Sequence, residues 1–261
     1  MENFKRKKIS ILFLSKPDFD EYACKFLVLN LNKIQNCFEF VFPEVREHPF
    51  QGKNHYDQID IHKDFLDILQ KKEIIANYFI GITNAIIGPN LYWTALDNKA
   101  IITTGEWQKY FVPPSVFEYI IHSIVSSLIC IIDFSAGIGS HKDTRGCCLD
   151  YTFYKRDKKG DIGLGYICDN CKTKIIEKLG KEYLECFETI NSLEWLGDVT
   201  KRGTIASDMI KYFKIDLDKD TGYYKTFWEK VKEHFSMLPK DIILTILNAI
   251  IAALVALAVS K

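Results

Sequence analysis

The chain has 261 residues, with 34 lysines and arginines against 34 aspartates and glutamates and a formal net charge of zero. That balance argues against a dedicated nucleic-acid binder, which carries a basic excess. A hydrophobic content of 48% supports one sizeable buried core with additions.

The basic run Lys5-Arg6-Lys7-Lys8 reads as a solvated flank. The apolar stretch Ile9 to Leu14 behind it stops at Lys16-Pro17-Asp18, too early for a signal-peptide core, and reads as the first core strand. A reducing compartment is therefore expected, where clustered cysteines mean metal or redox chemistry rather than disulfides. Residues 19–34 carry apolar positions at helical spacing, 37–42 alternate as a strand, and 43–58 read as a loop. An amphipathic helix is expected over 59–76 and a strand over 77–83, followed by a break at Gly88-Pro89. Residues 91–107 read as paired strands turning at Asp97-Asn98. Pro113-Pro114 then opens a long helix from Ser115 to about Phe134, with Ser115 and Glu118 spelling a capping box. The order of strands and helices predicts an α+β domain. Gly137, Gly139 and Gly146 punctuate an irregular stretch. Helical spacing returns over 172–190 and 192–214, and 215–222 reads as a linker.

The tail is of a different kind. Residues 242–259 hold no charge, and Thr245 and Asn248 are their polar side chains. This is the length of a short membrane span. Tyr223, Tyr224 and Trp228, with Lys225, Lys230, Lys232 and Lys240, precede it as interfacial and orienting residues would. The reading is a membrane-localised chain whose main domain faces the cytoplasm, anchored through 242–259. Ala249, Ala252, Ala253 and Ala256 would suit a homo-oligomer packed through this helix. A buried core helix is the alternative.

Four of the eight cysteines fall between 147 and 171. Cys168-x-x-Cys171 is half of a zinc site by its spacing, because the turn lets both sulfurs face one ion. Thiolate ligands favour zinc over harder cations. The upstream ligands are His141 with Cys147 or Cys148. Gly146, which frees the backbone before it, favours Cys147. The expected set is His141, Cys147, Cys168 and Cys171 around a structural Zn2+. A redox pair and unliganded thiols are the competing readings. Asp143, Asp150 and Asp161 read as turn and cap residues or as acceptors behind the ligands. The remaining cysteines read as plain buried side chains.

The strands around YFIGIT and KAIITTGEW, the proline-started helix, His141, Cys147 six residues on and the later C-x-x-C together resemble the archaemetzincin family of zincins, roughly over residues 77–180. The resemblance implies a zincin-like α+β domain over 1–180 with a mixed sheet and a zinc knot. A helical connector over 181–240 and a terminal apolar helix over 241–261 complete the expected chain. His141 would stand at the family's third catalytic histidine, and Cys147, Cys168 and Cys171 at cysteines of its structural zinc. The position after the histidine, a cysteine in the family, is Lys142. The positions of the first histidine, the glutamate and the second histidine are Ile131, Ile132 and Ser135, which cannot activate water. Peptidases of this kind need two histidines one helical turn apart with a glutamate between them. Glu118 and His122 are four apart but lack a second histidine, so His122 reads as a packed helix residue.

No phosphate-binding GxxxxGK[ST] loop and no G-x-S-x-G elbow occurs. Asp57, Asp60, Asp64 and Asp67 read as a solvated helix face. The favoured function is a membrane-tethered, non-proteolytic zinc-binding protein, by architecture a membrane-disrupting effector of a prokaryotic defence or toxin system. The alternatives are a divergent zinc-dependent hydrolase drawing on His122, His141 and carboxylates, and a tail-anchored adaptor.

Overall fold

The structure, a computed structural model, describes residues 5–44, 48–50, 54–88, 91–107, 112–132, 138–142, 146–151, 155–225, 227–228 and 231. Strand β1 (Lys7–Phe13) alternates cleanly: Ile9, Ile11 and Phe13 enter one apolar cluster, and Leu12 with the following Leu14 enters another. A strand buried on both faces belongs at the centre of a sheet. It pairs in parallel with β2 (Phe38–Val41) on one side and β4 (Tyr78–Thr83) on the other. Beyond β4 lies β7 (Lys99–Thr103), also parallel, and then the antiparallel edge strand β6 (Trp93–Leu96). The order is β2-β1-β4-β7-β6, a mixed five-stranded sheet. The β6–β7 hairpin turns at the expected Asp97-Asn98, with Asp97 at φ 53.

Helix α1 (Glu21–Ile34) is started by Asp20, whose carboxylate accepts from the amides of Tyr22 and Ala23. Its buried stripe of Ala23, Cys24, Leu27, Val28 and Leu31 lies in the same cluster as Ile9 and Ile11. Helix α2 (Gln58–Lys71), capped by Asp57, covers the other face with Ile61, Phe65 and Leu69. Helix α3 (Val116–Ile131) is buried along nearly its whole length; Glu118 is its one carboxylate, and its His122, Ser126 and Ser127 side chains are hydrogen-bonded within the core. It packs on β6, β7, α1 and the later helix α6 (Lys181–Asn191). Tyr119 fastens it to the sheet, its hydroxyl donating to the Thr103 carbonyl at 2.8 Å while its ring stacks on Trp107.

Several elements differ from expectation for local reasons. The loop expected over 43–58 contains β3 (His55–Tyr56), which pairs in parallel with β5 (Ile86–Ile87). Two residues are too few to show a period. The helical text 172–190 is two helices, α5 (Asp169–Lys178) and α6, broken at Gly180, whose φ of 111 no helix contains. A short helix α4 (Lys158–Leu164) precedes them. Residues 192–214 yield α7 (Ile205–Asp208), running into a π-helical turn Met209–Phe213. The expected linker 215–222 is fixed to the core: the Thr221 carbonyl accepts from the Val116 amide at 2.9 Å, and Leu217 is buried.

The chain divides into two units, Met1–Tyr223 and Tyr224–Lys261. In the second, Phe227 and Trp228 are exposed and meet edge to face at 5.6 Å. The apolar segment 242–259, with its expected anchoring and self-association, lies outside the described residues. The expectation of a membrane-localised chain is corrected: among the described residues no helix is long and apolar enough to cross a membrane. The apolar helices found there, α3 above all, bury their surface against the sheet and other helices instead.

Candidate metal centre

Helix α5 organises the centre. Cys168 is its N-cap, in extended conformation, and Cys171 lies in its first turn. In that C-x-x-C arrangement both side chains face the same side of the helix start. The helix N-terminus favours negative charge, and so favours the thiolate form of a cysteine placed there. Gly165, at φ 55, ends α4 and redirects the chain toward Cys168; a Cβ there would come within 2.5 Å of the Asn191 carbonyl oxygen. Only glycine fits that turn.

The second limb comes from 138–151. Cys147 bridges to Tyr166 and His141 to Asp150 as isolated β-bridges. The Cys148 amide donates to the Tyr166 carbonyl at 2.8 Å, and the His141 amide to the Leu149 carbonyl at 3.1 Å. Gly146, at φ 98, supplies the turn before Cys147. These contacts gather one ligand atom each from His141, Cys147, Cys168 and Cys171 within 4.8 Å of one another. Cys147 is fully buried, Cys168 and Cys171 nearly so, and His141 is half-buried. His141 Nε2 lies 3.5 Å from Cys168 Sγ, and the Cys168 amide donates to Cys147 Sγ at 3.4 Å.

Asp150 sits behind two of the four. Its Oδ1 is 3.3 Å from His141 Nδ1, and its Oδ2 accepts the Cys147 amide at 3.1 Å. A carboxylate on the far nitrogen of an imidazole fixes the ring so that Nε2 faces the ligand side, the usual arrangement behind a metal-bound histidine. Burial raises the Asp150 pKa, opposed by the Cys147 amide. The thiol pKa values diverge. Cys147 is driven down by hydrogen bonds from Cys148 and Cys171, while Cys171 is driven up by its hydrogen bond to Cys147 and by burial. Three buried sulfurs beside an imidazole form a donor set that suits a cation. Zinc fits the chemistry: with Zn–S bonds of about 2.3 Å, tetrahedral thiolates stand about 3.8 Å apart.

Of the two adjacent cysteines, Cys147 contributes its sulfur to the group, and Cys148 is buried beside it. Asp161 instead pairs with the fully buried Lys158, Oδ2 to Nζ at 2.9 Å. Lys158 also donates to the Cys148 carbonyl at 3.3 Å and lies 4.9 Å over the Tyr92 ring. His122 is not one of the four: its Nδ1 meets Asn191 Oδ1 at 2.9 Å, and burial pulls its pKa down to about 3. Glu118 is engaged in the cap of α3, and Ile131 is buried at its end. Asp143 and Ser135 lie outside the described residues. Sequence reasoning missed Lys158, whose burial no periodicity announces, and Asn191 as the partner of His122. A cleft of about 390 Å³ runs along β6, and Gln58, Trp93, Cys130, Ser140 and Tyr151 are among its lining.

A mixed sheet with helices on both faces and a buried cluster of one histidine and three cysteines defines an α/β protein of metal-binding type. No family model matches the sequence, and no curated protein does. Among solved structures, archaemetzincin from Methanopyrus kandleri is similar, at 13% identity and a TM-score of 0.43, over 69% of this chain and 96% of that one.

Proposed function

We propose that the chain is a zinc-binding protein in which the metal is structural, held by His141, Cys147, Cys168 and Cys171, and that it does not hydrolyse peptides. The observation carrying this reading is the donor set itself: four protein ligand atoms within 4.8 Å of one another. Four such ligands complete a tetrahedron, and a catalytic zinc needs one position left for water. The role of the metal would be to clasp the irregular stretch around 138–151 to the start of α5.

Elemental analysis of the purified full chain tests the reading. About one zinc per chain is expected, lost in Cys168→Ser and in Cys171→Ser together with a large fall in thermal midpoint, since binding energy of a structural metal is folding energy. A chain that holds no zinc, or variants that lose it at unchanged stability, would overturn the structural role. Zinc-dependent cleavage of a casein substrate would overturn the non-proteolytic one.

A further inference from the structure

A lysine side chain with no exposure is rare, and Lys158 at the start of α4 is one. Taking an ammonium out of water is costly, and an apolar side chain of similar volume packs as well. Helix α4 is seven residues long and holds Gly160 and Gly163, so its own propensity is poor. The ion pair of Lys158 Nζ with Asp161 Oδ2, at 2.9 Å and three residues on, ties this short helix together. Other contacts of the ammonium lead away from α4, to the limb that carries His141 and Cys147.

The first is the Cys148 carbonyl, which accepts from Lys158 Nζ at 3.3 Å and from the Ser126 hydroxyl at 2.8 Å. The Cys148 amide, on the other side of the same residue, donates to the Tyr166 carbonyl at 2.8 Å. With both of its peptide planes held, Cys148 has a fixed backbone; its side chain is fully buried, while the sulfur of Cys147 joins the ligand group. The second is the Tyr92 ring, whose centroid lies 4.9 Å from the ammonium, a cation–π distance. The Tyr92 hydroxyl donates to the Asp150 carbonyl at 3.0 Å, and the Asp150 amide returns to the Cys147 carbonyl at 2.9 Å. One ammonium thus steadies Cys148 directly and the Cys147–Asp150 turn through Tyr92. An alkyl side chain of equal volume could do neither. Charge points the same way. Three thiolates and a neutral imidazole leave a zinc site with net negative charge, and Lys158 is hydrogen-bonded to the residue next to one of those sulfurs.

We propose that Lys158 is a positioning residue for the metal centre. Its ammonium presets the backbone so that Cys147 rather than Cys148 meets the zinc, and its charge offsets part of the negative charge that the thiolates bring together. This rests on the structural-zinc reading above and adds to it a cation outside the ligand set.

The full chain, as wild type, Lys158→Met and Lys158→Arg, is titrated with zinc against a chromophoric chelator. It is also titrated with cobalt, whose absorption reports thiolate ligation and tetrahedral geometry. Lys158→Met should bind zinc about 10- to 100-fold more weakly, the range usual for groups that support metal ligands from behind. Its thiolate-to-cobalt absorption at saturation should also be weaker. Lys158→Arg, which keeps the charge, should recover much of both. Should Lys158→Met fail to fold, Lys158→Met combined with Asp161→Leu leaves no buried carboxylate unpaired and takes its place. Loss of fold stability alone lowers affinity, because metal binding and folding are coupled, but it leaves the spectrum at saturation as it was. An unchanged cobalt spectrum, or an arginine variant no better than the methionine one, would therefore overturn the assignment and leave Lys158 a packing residue in a chain that still binds metal. A wild type that takes up neither ion would overturn the structural-zinc reading and this inference together.

Discussion

At the scale of single residues, Asp150 does more than its place in a turn requires. Its two oxygens meet His141 Nδ1 and the Cys147 amide, so one carboxylate touches two of the four proposed ligands. Asp150→Asn keeps the shape and can still accept the amide, but it loses the charge that supports the imidazole. Zinc affinity, measured by competition with a chromophoric chelator, should fall about 10- to 100-fold, as is usual for partners of metal-bound histidines. An unchanged affinity would leave Asp150 a turn residue only. His62 makes a separate prediction away from the metal. It is a buried residue of α2 with Nε2 3.2 Å from Thr94 Oγ1, and burial, helped by Lys99, pulls its pKa down to about 4. The unfolded chain binds a proton there below about pH 6.5, and the folded chain does not. Between those values the unfolded state holds more protons, so stability is lost as pH falls from about 6.5 toward 4. His62→Gln should remove about 1–2 kcal/mol of the difference in stability between pH 7 and pH 5, read from urea midpoints at the two pH values. Equal pH dependence in the two proteins would show that His62 takes no part.

At the scale of elements, α3 shows what the sequence makes legible. Its start is spelled out as S-x-x-E, and both bonds of the box form: the Ser115 amide donates to Glu118 Oε2 at 2.5 Å, and the Glu118 amide to Ser115 Oγ at 3.4 Å. Ser115→Ala should cost about 1 kcal/mol of unfolding free energy in urea titration, up to about 2 given how deeply the helix is buried. A neutral substitution would mean that packing on β6 and β7 alone sets the helix start. The pair Cys168 and Cys171 was legible for a similar reason, since N-cap and first-turn positions keep a fixed offset in sequence and in space. The closing ligands were harder. Choosing Cys147 over Cys148 rests on the bridge between Cys147 and Tyr166, a contact between distant segments. The small β3–β5 sheet and the break at Gly180 were hidden because a two-residue strand has no period and a glycine within helical text looks tolerable.

At the scale of the whole molecule, the metal centre and the sheet differ in what they need in order to stand. The face of the sheet under α2 closes over its own cluster of Leu12, Leu14, Phe65 and Ile101, with no metal-centre residue in it. Cys147, Cys168 and Cys171 belong to the other cluster, shared with α1, α3 and α6. The proposed structural zinc would contribute on the order of 10–16 kcal/mol of binding energy, comparable with the whole stability of a domain. Its removal should therefore fall unevenly. With a strong chelator present, amides of α5 and of residues 146–151, held by few backbone ladders of their own, should lose protection from hydrogen exchange first. Those of β1, β4 and β7, locked between hydrogen-bonded strands on both sides, should keep theirs longest. Exchange that rises uniformly across the sheet would mean that the two clusters stand or fall together, with zinc as the keystone of the entire unit. Exchange that does not change anywhere would remove the metal from the account of the fold altogether.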